Sequence, residues 1–77
     1  MSSSSTLTIT TANGDELTLR RLALLDSQRP LKGSVLLARV DGTAVAALSP
    51  QTGRVVADPF RRTAKIVAAL RGMAVAA

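Results

Sequence analysis

The chain has 77 residues, a net charge of +5 and a sequence pI near 11.5, with no cysteine and no histidine. That composition excludes a disulfide framework and any zinc or iron site built on soft ligands. With Phe60 the only aromatic residue, the core must come from Leu, Val, Ile and Ala. A chain this short buries only about 60–65% of the surface it exposes when unfolded, so association with another chain is an expected source of stability.

Met1–Ser5 is polar and low in complexity and is expected to be disordered. It lacks the apolar stretch of a signal peptide, and no run approaches the ~20 apolar residues that span a bilayer. The chain is therefore read as cytoplasmic, with no membrane partner. Thr6–Thr11 alternates Thr with Leu7 and Ile9, the period of a half-buried strand, and Asn13-Gly14 ends it. Asp15 stands where a helix would start, as cap or first-turn acid. ELTLRRLALLDS then reads as that helix: Leu17, Leu22, Leu24 and Leu25 share a broad sector, Leu19 lies at its rim, and Ala23 falls on the other side. The stripe is wider than one sheet face requires, so these leucines form a candidate second contact surface.

Gln28–Gly33 is a loop marked by Pro30 and Gly33. Ser34–Val40 and Thr43–Leu48 are strands around Asp41-Gly42, a pair suited to a type I′ hairpin turn because both central residues need positive φ. Ser49–Gly53 is a second turn and Arg54–Ala57 a third strand of the meander. Asp58-Pro59 is a good helix start, and Phe60, Ala64, Val67 and Leu70 recur at helical spacing with Ile66 and Ala74 on the flanks. Gly72 offers a stop, with residues 73–77 frayed beyond it. The fold class is α+β: β-α-β-β-β-α, one domain over residues 6–72, with a four-stranded, mostly antiparallel sheet and two helices.

LTITTANGDELTLRRLALLDS resembles the first strand and helix of the GNAT superfamily of acyltransferases, and SVLLARVDGTAVAALSPQTGRVVADPF resembles its strands two to four. The resemblance covers nearly all of residues 6–71. It implies half of an acyl-CoA N-acyltransferase fold. In that family the fourth strand enters an Arg/Gln-x-x-Gly-x-Gly/Ala loop whose backbone N–H groups hold the acetyl-CoA pyrophosphate at a helix N-terminus. Here Phe60-Arg61-Arg62-Thr63-Ala64 follows Asp58-Pro59, with no glycine before Gly72. Side chains along that loop would block close backbone approach to a diphosphate. The resemblance therefore implies a truncated, acyltransferase-like half without its cofactor loop, and no cofactor is expected.

General acid–base chemistry has few candidates, since His, Cys and Tyr are all missing. Local structure accounts for Asp15, Glu16, Asp41 and Asp58, and Asp26 is expected to be exposed near a helix end. No catalytic residue and no metal site is expected. Arg61, Arg62, Lys65 and Arg54 form a candidate anion-binding cluster, able to contact phosphates without specificity. The resemblance implies that such a half, without the family's later strands, leaves an unpaired edge beside Arg54–Ala57, and exposed edges call for cover by another chain. The function expected is non-catalytic: association with a second copy or a partner protein, through sheet edges or through Leu17, Leu19, Leu22, Leu24 and Leu25. The alternatives are a basic module for nucleic acid or another polyanion, and a residual N-acetyltransferase component that needs a partner chain.

Overall fold

The computed structural model describes residues 6–76, so the expectation of disorder over Met1–Ser5 lies outside them. The elements run β1 (Leu7–Asn13), α1 (Leu17–Leu25), β2 (Ser34–Val40), β3 (Thr43–Leu48), β4 (Val55–Ala57) and α2 (Ala64–Ala76). The four strands form one sheet in the order β1-β2-β3-β4, every neighbouring pair antiparallel. This is the α+β architecture expected from the order of periodic segments.

Successive residues of a strand face opposite sides of the sheet, and each side here carries one helix. Leu37 of β2, Ala47 of β3 and Val56 of β4 pack with Leu19, Leu22 and Ala23 of α1, joined by Val35 and by Leu31 of the loop before β2. On the other side Ala38, Val45, Ala46 and Leu48 pack with Leu70 of α2, flanked by the half-buried Ile66, Val67 and Ala74. Two thin cores back onto a shared sheet, and alanine at the inner positions of β2 and β3 lets both helices come close.

The β2–β3 turn has Asp41 at φ 52 and Gly42 at φ 84, the positive-φ pair that Asp-Gly favours. The register then shifts: Ala38 pairs with Ala46 while Arg39 pairs with Ala44, leaving Val45 as an extra residue. This bulge turns both Val45 and Ala46 toward α2. The Val45 carbonyl accepts the Asp58 N–H at 2.8 Å, which extends the β3–β4 ladder one step beyond β4.

Four local expectations are corrected. Asp15 does not cap α1: its N–H donates to Asn13 Oδ1 at 2.9 Å, and the cap residue, Glu16, makes no side-chain cap bond. The buried side of α1 is Leu19, Leu22 and Ala23, so the expected sector is rotated away from the core. Asp58-Pro59 starts a turn rather than a helix, because Asp58 Oδ1 accepts the Phe60 N–H at 2.9 Å and the Asp58 carbonyl accepts the Arg61 N–H at 3.2 Å. That closed turn uses the capping side chain before any helix forms, α2 begins only at Ala64, and Phe60, whose spacing groups it with Ala64, Val67 and Leu70, lies outside the helix and is 83% exposed. Finally, α2 passes through Gly72 to Ala76, since Gly72 keeps a negative φ and supplies no left-handed stop.

Candidate functional site

The five leucines proposed as one surface divide into two groups. Leu19 and Leu22 are buried in the α1 core, whereas Leu17 and Leu24 are 63% and 75% exposed. Leu25, beside them, is 48% exposed. At about 100° per residue, Leu17 and Leu24 fall on nearly the same radial line, opposite the centre of the buried stripe. Arg21 lies between Leu24 and Leu25 around the helix and is exposed as well. The helix thus carries leucine on two opposed sides, the sheet covering one, while on the other Leu17, Leu24 and Leu25 are exposed beside Arg20 and Arg21.

The basic residues do not form one cluster. Arg61 and Arg62 line a groove with Val40, Val45 and Ile66, just ahead of α2. Lys65 is exposed in the first turn of α2 and is not among the groove's lining residues. Arg61 also reaches Asp58, Nε to Oδ2 at 3.7 Å, which gives it a local partner and a structural reason for its place. Arg54 sits at the other end of β4, where its Nη2 donates to the Arg29 carbonyl at 2.8 Å. It borders a separate depression with Leu31, Lys32 and Gln51.

The two sheet edges differ in a way that the sequence did not announce. Among the described residues β4 has no strand beyond it, yet two of its four outward backbone groups, the Val55 carbonyl and the Ala57 N–H, are occupied. Asp26 Oδ2 accepts the Ala57 N–H at 3.1 Å, and Gln28 Nε2 donates to the Val55 carbonyl at 3.2 Å and to Asp26 Oδ2 at 2.8 Å. The expected open edge beside Arg54–Ala57 is therefore half-covered by the residues that follow α1. Asp26, expected to be a free surface acid, is half-buried and acts as the stand-in for a neighbouring strand. Asp26→Ala should leave the Ala57 N–H and the Gln28 amide without this acceptor. A hydrogen bond to a carboxylate is worth about 1.5–3 kcal/mol, and at this half-buried edge the lower end applies. Thermal unfolding should then fall by roughly 6–12 °C for a domain of this size; a shift within experimental error would mean that water replaces the carboxylate fully.

β1 is the other edge. It pairs with β2 without interruption from Leu7↔Val40 to Asn13↔Ser34. At its two ends the Asp41 N–H donates to the Thr6 carbonyl at 2.9 Å and the Gly14 N–H to the Gly33 carbonyl at 2.8 Å. Those bonds fix the alternation: even-numbered residues of β1 bond to β2, and Leu7, Ile9, Thr11 and Asn13 turn their backbone groups outward. The Asn13 carbonyl accepts the Glu16 N–H at 3.0 Å, and among the described residues no bond reaches the other outward groups.

Among the described residues no group of three or more acidic side chains could hold a metal ion, and no helix is long and apolar enough to cross a membrane. Compared with protein-family models, with curated proteins and with solved structures, the chain matches none of them.

Proposed function

We propose that this chain is a non-catalytic, self-associating domain, an acyltransferase-like β-α-β-β-β-α half that works by binding protein rather than by transforming a substrate. The observation that carries this reading is α1. A nine-residue surface helix needs one apolar stripe to sit on its sheet, and this one presents Leu17 and Leu24 on the side facing away. Large apolar side chains grouped on one exposed face mark contact surfaces.

The acidic residues support the non-catalytic part of the reading. Asp26, Asp41 and Asp58 each accept backbone N–H bonds from Ala57, Thr6 and Phe60 respectively, and hold the fold together. Asp15 and Glu16 are exposed just before α1 and line neither of the grooves described above. Polyanion binding has weaker support, because Arg61 is engaged by Asp58 and Arg54 lies apart from Arg61 and Arg62.

Light scattering across the micromolar range tests the proposal. The chain should appear above the 8.0 kDa of a monomer. Replacing Leu17 and Leu24 together by Ser should weaken association about tenfold or more, since burying a leucine side chain is worth about 1.5–3 kcal/mol and each 1.4 kcal/mol is tenfold in affinity. An unchanged mass for the double variant would remove α1 from the contact.

A further inference from the structure

The open edge of β1 has an occupant of definite kind. We propose that a second copy of this chain pairs antiparallel along β1, strand to strand about a two-fold axis, so that two four-stranded sheets become one continuous sheet. The inference rests on the self-association reading but uses a different surface from α1.

Three observations lead to it. The first is the contrast between edges: β4 is three residues long with two of its outward groups held by Asp26 and Gln28, whereas β1 presents an uninterrupted seven-residue edge with no proline, no bulge and no charged side chain. Natural sheets protect free edges with those very devices, so their absence from β1 marks an edge that is meant to be covered. The second is charge. The chain carries +5, so two copies repel wherever basic side chains meet. β1, with sequence LTITTAN, is a stretch of this chain on which two copies meet no like charge. An acidic partner would gain nothing from that neutrality, whereas a second copy requires it.

The third is register. Pairing Thr10 with Thr10 of the second copy aligns the whole strand and sets Leu7 against Asn13 and Ile9 against Thr11. All four of these residues carry outward backbone groups, so the hydrogen-bonding parity is the one that an antiparallel ladder needs. On the other face the register sets Thr10 against Thr10 and Thr8 against Ala12. Thr–Thr is among the side-chain pairs that stabilise neighbouring strands. Neither helix stands in the way: α1 packs chiefly on β3 and β4, and α2 on β3 and β2, which leaves the flank beyond β1 clear of both. Leu7, 45% exposed on that flank, gains cover from the added strand.

Thr11→Pro separates this interface from the fold. The Thr11 N–H points outward, so proline there removes no bond to β2 but deletes a donor from the proposed ladder. Light scattering and circular dichroism would be run on the native chain, Thr11→Pro, Thr11→Lys and the Leu17→Ser/Leu24→Ser variant. The native chain should weigh twice 8.0 kDa or a multiple of that, and both Thr11 variants should lose the β1 contact, halving the mass with the spectrum unchanged. If Thr11→Pro fails to fold, Thr11→Lys gives the same reading, because it leaves the backbone intact and sets two charges against the paired strand. A folded Thr11 variant of undiminished mass would overturn the β1 pairing. If the Leu17/Leu24 variant alone then dissociates, the self-association reading stands without it. A native chain that remains at 8.0 kDa at the highest attainable concentration overturns both. Amide exchange supplies an independent check: the Ile9 and Thr11 N–H groups should gain protection as concentration rises, and concentration-independent exchange would also overturn the pairing.

Discussion

Gly14→Ala should destabilise the domain by about 3 kcal/mol, lowering the unfolding temperature by roughly 12–24 °C. Gly14 is buried between β1 and α1, and its N–H is bonded to the Gly33 carbonyl at 2.8 Å. A Cβ at this position would overlap the Leu31 carbonyl and carbon, both backbone atoms, so no side-chain rotation relieves it. Leu31 is itself fixed, buried in the α1 core, and retreat would disturb Leu19 and Leu22. The cost is purely steric, because Gly14 does not have positive φ. Two other glycines serve as controls. Gly42→Ala meets nothing within 4 Å but must hold φ 84, which costs about 1–2 kcal/mol. Gly72→Ala also meets nothing within 4 Å and lies inside α2, so it should stabilise by about 0.5–1 kcal/mol. Thermal unfolding of the three variants checks the order, and equal effects at positions 14 and 42 would contradict the steric account.

Gly14 also shows where a sequence stops being informative. Asn13-Gly14 reads as a strand end, and β1 does end at Asn13. Nothing local shows that the glycine is needed because a loop seventeen positions later presses its backbone against it. The strands were legible because their signals are short-range: alternation in LTITT, and an Asp-Gly pair whose left-handed preference is its own. The helices were less so. α1 carries leucine on both sides, so spacing alone could not say which side the sheet would take, and Ala23, small enough to sit against β3 and β4, was read as an outer residue. At Asp58 two local structures compete for one carboxylate, a turn through Phe60 or a helix cap, and both fit the same residues. The turn wins in the presence of β4, whose ladder continues through the Asp58 N–H to Val45.

The edges were the least legible of all. Asp26 and Gln28 reach Ala57 and Val55 across about thirty positions of sequence, and neither type of residue announces such a role. With that contact in place the two edges of the sheet are not equivalent, and β1 rather than β4 is the edge on which the proposed pairing is placed. Holding part of β4 and leaving β1 free favours sheet extension outward from the strand that the helices cover least.

Two leucines two positions apart on α1 should then respond in opposite ways, and this divides the fold from its proposed work. Leu22→Ala removes a side chain that is 2% exposed and packed among Leu19, Leu37 and Val56, at a cost of about 2–5 kcal/mol. A domain of this length has about 4–12 kcal/mol in total, so this single cavity removes a large part of its stability. Leu24→Ala removes a side chain that is 75% exposed and should change monomer stability by less than about 0.5 kcal/mol. Alanine is at least as good a helix former as leucine, so α1 itself does not suffer. The second substitution should instead reduce association, leaving the urea midpoint measured at low concentration where it was. Chemical denaturation of both variants at two protein concentrations reads the difference. If α1 serves only the fold, Leu24→Ala will be silent at both concentrations. If its outer face is a contact, the native chain will gain stability with concentration and Leu24→Ala will lose part of that gain, while Leu22→Ala is destabilised at every concentration.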